Sequence, residues 1–339
     1  MHLYDLWFVL IAVLWTGYFV LEGFDFGVGM LIRYLGNDEA ERRVVLNTVG
    51  PVWDGNEVWF ITAGGATFAA FPDWYATLFS GFYLPLLLIL LALIVRGVAF
   101  EYRGKRDDAT WRRRWDAALL VGSVVPALLW GVAFANIVHG VPINAQKSYT
   151  GGFFGLLNPY ALLGGLTTLT VFLLHGSLFV SLKTSGAVQH RARLLAGRLF
   201  RVVLPVAGSF LLWTFLADPS VGTGAAAGVA AVALVVGWVR NTGGRDGWAF
   251  GLSALAVTAT VATLFLALYP DVMPSSTDPS FSLTVSGAAS SPYTLGVMSW
   301  VALLGMPLVL AYQAWTFWVF RRRLGVQDIP APRPLVPSG

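Results

Sequence analysis

Apolar runs long enough to cross a bilayer repeat along the whole chain, each closed by a short polar or charged stretch. A spanning helix needs roughly 17–25 mostly apolar residues. Marking the runs by charge and turn residues gives spans at about 6–32, 54–71, 76–100, 116–138, 158–182, 201–217, 222–239, 248–269 and 294–320. Pro72 and Asp73 separate the second run from the third, and Asp218 and Pro219 the sixth from the seventh. In lipid every backbone N–H and C=O needs a partner within its own segment, so such runs are helices. The pattern predicts an all-α integral membrane protein of about nine transmembrane helices, a single polytopic domain over residues 1–339. Nine spans allow two four-helix bundles plus one helix. His2 and Asp5 precede the first run without Lys or Arg, so that run is expected to be a retained span and not a cleaved leader. Connections are short except 139–157 and 270–293, whose Gly, Pro, Ser and Asn predict ordered irregular structure.

Charge placement tests the count. Arg33, Arg42 and Arg43 follow span one, and Arg103, Lys105, Arg106, Arg112, Arg113 and Arg114 lie between three and four. Lys183, Arg191, Arg193, Arg198 and Arg201 lie between five and six, Arg240 and Arg245 between seven and eight, and Arg321, Arg322, Arg323 and Arg333 after nine. With Arg96 near the end of span three, all of the 22 basic residues except Lys147 fall on one side. The positive-inside rule then predicts the N-terminus outside and the C-terminus in the cytoplasm, which needs an odd number of spans. Composition agrees: 56% of residues are hydrophobic and 12% charged, about half the charged fraction of a soluble domain. The absence of cysteine excludes disulfides, zinc–thiolate sites, iron–sulfur clusters and covalent c-type haem. No metal site is expected. The basic runs read as anchors for anionic lipid, with no nucleic-acid contact.

Ionisable side chains inside a span cost roughly 2.5–3.5 kcal/mol each on insertion scales. Glu22 and Asp25 lie three apart on span one, hence on one helix face, and Asp54 and Glu57 repeat the spacing at the start of span two. All four fall in the half nearer the arginines. Arg96 and Glu101 of span three reach a similar depth. One reading is structural: the acids pair with Arg96 and one another, or snorkel to the surface, most easily for Glu57 and Glu101. The other is a proton-uptake route, because carboxylates in series can pass protons through bound water. One arginine cannot neutralise four carboxylates, so part of the set is expected to hold protons. Asn47 and Asn56 add polar groups nearby, and glycines at 23, 27, 29, 50, 55, 64 and 65 suit close helix packing. His175, on span five beside Thr167, Thr168, Thr170 and Ser177, is the one candidate axial haem ligand within the membrane; the alternative is a hydrogen bond to a neighbouring helix. His139 sits at the outer edge, with His2 and His190 outside. Gly27-Val-Gly29 lies in an apolar helix with no preceding strand, so it is no phosphate loop.

The stretch Glu22-Gly-Phe-Asp-Phe-Gly-Val-Gly-Met30 resembles the first helix of subunit II of cytochrome bd-type quinol oxidases. Residues 47–70, with Gly50-Pro-Val-Trp-Asp-Gly-Asn-Glu-Val-Trp59, resemble that family's second helix. Further matches follow at Phe79-Ser-Gly-Phe-Tyr83, Arg96 with Phe100-Glu-Tyr-Arg103, Gly131-Val-Ala-Phe134, 151–159, Met273-Pro-Ser-Ser276 and Met298-Ser-Trp300. The resemblance covers residues 17–320. It implies a bacterial cell-membrane oxidase subunit that, with haem-bearing subunit I, oxidises quinol and reduces oxygen to water. Haems b558, b595 and d would be held mainly or wholly by subunit I, and some members hold a structural quinone in subunit II. Small single-span subunits are further implied partners, besides lipid and quinone. Carried over by motif, Asp54, then Asp25 and Glu22, with Glu57 beside them, belong to a cytoplasmic proton route, tuned by Arg96. Asp218-Pro-Ser-Val221 departs from the family in being a very short connection where some relatives have a longer loop. Two rivals stand at this point. A proton-coupled secondary transporter would also want intramembrane acids, and an assembly scaffold would need no proton role.

Overall fold

The computed structural model describes residues 2–329, so Arg333 lies outside the described residues. The helices are α1 (Leu3–Leu35), α2 (Glu39–Asn47), α3 (Trp53–Ala70), α4 (Pro72–Gly81), α5 (Tyr83–Tyr102) and α6 (Ala109–His139). They continue as α7 (Gly152–Gly155), α8 (Pro159–Lys183), α9 (Gly186–Ala217), α10 (Val221–Thr242), α11 (Asp246–Leu268) and α12 (Pro292–Val319). Starts follow local chemistry. Asp38, Asp108, Asn158, Ser220 and Ser291 cap the helices that follow them, and Pro72, Pro159 and Pro292 occupy first-turn positions.

Among the described residues, 8 helices are long and apolar enough to cross a membrane. The expected span 54–71 falls short on composition, because Asp54, Asn56 and Glu57 crowd the first turn of α3. Its depth nevertheless matches that of α1. At one end Asn56 meets Asp25 of α1. At the other, the Ala70 carbonyl accepts from Ser290 N at 2.8 Å, beside α12, whose Leu295 carbonyl accepts from Trp7 Nε1 at 3.2 Å. Helix α3 therefore runs antiparallel to α1 for 18 residues, about 27 Å at 1.5 Å per residue. That is close to the thickness of the hydrocarbon core.

Two expected boundaries are corrected. The span 76–100 is two helices, broken at Phe82. Pro85 has no N–H for the Gly81 carbonyl, and its ring clashes there, so the helix cannot run through. The span 201–217 begins fifteen residues earlier, at Gly186. The basic stretch after Lys183 is thus largely helical, carrying Arg191, Arg193 and Arg198 on an extension of α9.

Helices α1, α3, α5 and α6 form one group and α8–α11 a second, fused where α1 and α6 both pack on α8. Helix α12 is the extra one: it touches α1 and α3, and only 6% of its most apolar stretch is buried. Small residues set the tightest crossing. A Cβ at Gly27 would lie 2.0 Å from the Phe172 carbonyl oxygen, and one at Gly176 would lie 2.5 Å from the Gly27 Cα, so α1 and α8 meet backbone to backbone.

The two long connections form one cap at the end away from the arginines. Strands β1 (Asp271–Met273) and β2 (Leu283–Thr284) pair antiparallel, Val141 bridges Ser275, and Lys147 Nζ donates to the carbonyls of Ser280 and Ser282. At the arginine end, Asp246 accepts from Ser181, Gln189, Arg193 and Arg323. Leu324 pairs with Lys183 and Ser185, and these bonds tie the segment after α12 across the ends of α8 and α9.

Candidate functional site

The face of α1 that carries Glu22 and Asp25 turns into the protein, and both acids are fully buried. Arg96 comes from α5 and is also fully buried; its Nη1 pairs with Glu22. The guanidinium lies 4.8 Å from the Phe26 ring centroid and 5.3 Å from that of Phe100, a sandwich that keeps a desolvated cation in favourable contact. Its backbone can come this close because α6 offers Gly122, where a Cβ would sit 2.7 Å from the Arg96 Cβ. Asp25 Oδ2 accepts from Asn56 Nδ2 at 2.7 Å, and Asn56 Oδ1 accepts in turn from Gln313 Nε2 at 2.8 Å. Asp25, Asn56 and Gln313 thus form a hydrogen-bonded chain from α1 through α3 to α12, within Coulombic reach of the Glu22–Arg96 pair.

Several polar atoms of this cluster have no hydrogen-bond partner among the described residues: Glu22 Oε2, Asp25 Oδ1, Arg96 Nε and Nη2, and Ser123 Oγ, which faces Gly29 one turn beyond Asp25. Buried polar groups are almost always bonded, to protein or to ordered water.

The four acids expected together divide. Glu22 and Asp25 lie within Coulombic reach of each other, and half-buried Glu57 within that of Arg96. Asp54 stands apart: it is exposed at the start of α3, its carboxylate accepting from Gly55 N at 2.8 Å. Glu101 is exposed on the arginine-rich face. His175 is fully buried, with Nε2 3.0 Å from the Val20 carbonyl, Nδ1 2.7 Å from Ser253 Oγ, and its ring stacked 4.7 Å from that of Phe250. A carbonyl only accepts, so Nε2 carries the proton. Both nitrogens bridge helices, one to α1 and the other to α11. Sequence reasoning missed Gln313 and Ser123, which carry no charge to mark them. It also missed the Arg103 cluster, in which Arg103 is paired to Asp116 at 2.5 Å and to Glu39 at 2.8 Å.

Residues 3–320 match the family model described as cytochrome bd terminal oxidase subunit II. The chain belongs to that family. It is 43% identical over 333 residues to cytochrome bd ubiquinol oxidase subunit 2 of Bacillus subtilis (strain 168), covering 96% of this chain and 98% of the relative. It is 38% identical over 365 residues to cytochrome bd-I ubiquinol oxidase subunit 2 of Escherichia coli (strain K12), covering 96% of each. In fold it resembles a chain of the bd oxidase from Geobacillus thermodenitrificans, with a TM-score of 0.78 at 17% identity over 94% of this chain and 99% of that one. The chain is accordingly a multi-pass bacterial membrane protein and part of a haem-containing, multi-subunit terminal oxidase, an oxidoreductase. Membership decides for the oxidase over the transporter.

Proposed function

We propose that this chain is the proton-delivering arm of a quinol oxidase, taking protons from the cytoplasm at its arginine-rich face and passing them toward haems held by subunit I. The observation that carries the reading is the buried Glu22–Arg96–Asp25 cluster with its unpartnered polar atoms. Water bonded to Glu22 Oε2, Asp25 Oδ1, Arg96 Nε and Nη2 and Ser123 Oγ would complete their hydrogen bonding and could carry protons between them. Orientation rests on the one-sided arginines. The histidines support haems b558, b595 and d lying in the partner: three are exposed and His175 is engaged at both nitrogens.

Subunit I fits the face made by α12 and α3. Helix α12 is apolar yet almost unburied, and Gly64 and Gly65 of α3 have nothing within 4 Å of a built Cβ. Asp54, exposed at the start of α3, would hand protons across that interface. Exposed Leu212, Leu216, Val232 and Val239 of α9 and α10 leave a second apolar face for lipid or a small single-span subunit.

The test is Asp25→Asn, and separately Asp54→Asn, in the purified complex. Turnover should fall at least tenfold while the reduced spectrum keeps its haem bands. Full turnover with full haem content in both variants would leave the chain a scaffold without a proton role.

A further inference from the structure

Helix α12 brings an uncharged amide to the buried acids. Gln313, half-buried, donates from Nε2 to Asn56 Oδ1 at 2.8 Å. Asn56, fully buried on α3, donates from Nδ2 to Asp25 Oδ2 at 2.7 Å. The helix is seated on both sides of Gln313. Phe317, one turn beyond, meets the Phe24 ring edge-on at 6.4 Å, and Ser299 Oγ accepts from Trp7 Nε1 at 3.0 Å toward the other end. Asp25 sets the order of donors. An ionised carboxylate only accepts, so Asn56 turns its NH2 to Asp25, and its own carbonyl oxygen then needs a donor. Gln313 is that donor. Among the described residues Asp25 Oδ1 has no hydrogen-bond partner. It is therefore the oxygen at which a proton can be added without breaking the bond from Asn56.

We propose that Gln313 is a positioning residue of the relay: by holding the Asn56 amide it keeps Asp25 Oδ2 a fixed acceptor and leaves Oδ1 as the oxygen that is loaded and unloaded. This rests on the relay reading above and adds which atom of Asp25 carries the proton and what fixes that choice. A proton arriving from hydronium forms its O–H bond at Oδ1, cancels the carboxylate charge and leaves a neutral water. Passing it to the next water breaks that bond, and the Asn56 amide stays in place throughout. Without the Gln313 donor, Asn56 Oδ1 is a buried acceptor with nothing to accept, which costs free energy. The amide then turns over when Asp25 is protonated, and the proton is held on Oδ2 in a bond to Asn56 instead of being free to leave. The charged groups within reach of Asp25 are Glu22 of its own helix, Glu57 of α3 and Arg96 of α5. On the other helices packed against α1, such groups are engaged elsewhere: Glu41 of α2 by Arg191, Asp116 of α6 by Arg103, His175 of α8 by Val20 and Ser253, and Asp246 of α11 by Arg193. Helix α12 carries no Asp, Glu, His, Lys or Arg.

Two variants of the assembled oxidase separate positioning from mere docking of α12. Gln313→Leu removes the donor, and turnover should fall about tenfold, as for the loss of one hydrogen bond in a chain that ends on a charge, with haem bands unchanged. Gln313→Glu keeps the size of the side chain. Ionised, the introduced carboxylate can only accept; protonated, it can donate to Asn56 again. Measured against the unsubstituted oxidase at the same pH, Gln313→Glu should be as slow as Gln313→Leu at alkaline pH and recover as pH falls, while Gln313→Leu stays slow throughout. The isosteric variant carries the test if the leucine variant does not assemble. Full turnover of Gln313→Leu, or a Gln313→Glu ratio that does not change with pH, while Asp25→Asn still blocks turnover, overturns Gln313 as a positioning residue and leaves the relay standing. If Asp25→Asn does not slow turnover either, the relay fails and this role with it.

Discussion

The Glu22–Arg96 pair can be separated into its structural and functional parts by a double-mutant cycle. Both side chains are fully buried, so removing one leaves the other as an uncompensated charge, at a cost of about 3–5 kcal/mol. That corresponds to roughly 100- to 4,000-fold in the folding equilibrium at 1.4 kcal/mol per decade. Arg96→Met should be the costlier single change, because Asp25 and Glu57 feel the same guanidinium. Glu22→Leu strands only the cation between Phe26 and Phe100. In the double variant the Coulomb gain and the desolvation cost disappear together, so it should be more stable than either single variant. The measurement is denaturant or thermal unfolding of the assembled complex, with turnover per haem recorded on the same samples. Stability should return in the double variant and turnover should not. Single losses that simply add would mean that the two side chains do not interact in the complex. Turnover recovering along with stability would mean that the pair serves only the fold.

Gly176→Ala forces a Cβ to within 2.5 Å of the Gly27 Cα. The crossing of α1 and α8 must part, with a loss of about 1–3 kcal/mol and less assembled complex on gel filtration; Gly208→Ala, in open space, should be silent. His175→Phe should leave every haem band of the reduced spectrum in place and lower stability by about 1 kcal/mol, whereas a missing band would make His175 a ligand after all. In the cap, burial raises the pKa of the Asp271 carboxyl above its ordinary 3.8, opposed by Lys147. Such an acid favours the folded cap when protonated, and that contribution is lost as pH rises from the ordinary value through the raised one. Asp271→Asn should therefore slow amide exchange at Val272 and Met273 at neutral pH, and the difference should vanish below the ordinary carboxylate range.

Most of the helices were legible in the sequence because lipid insertion is a local property. A run of apolar residues is enough to place a helix, and the one-sided arginines predict its orientation without knowledge of any contact. The break at Phe82 was also locally encoded, through Pro85. Helix α3 was harder, since the polar first turn that makes it useful also hides it from hydropathy, and its depth is fixed only by bonds to α1 and α12.

The chain by itself determined that Glu22 and Asp25 share a helix face, that Asp54 and Glu57 repeat the spacing, and that Arg96 reaches the same depth. Periodicity fixes which residues point the same way, but not what that face meets. Tertiary packing decided the rest. Asn56 and Trp59 turn α3 onto α1, so Glu57 faces inward while Asp54 faces out. Gly122 lets α5 close on α6 and delivers Arg96 to Glu22. Gln313 joins from 257 residues away in sequence, because a hydrogen bond depends on distance in space, and no local pattern of uncharged residues records it.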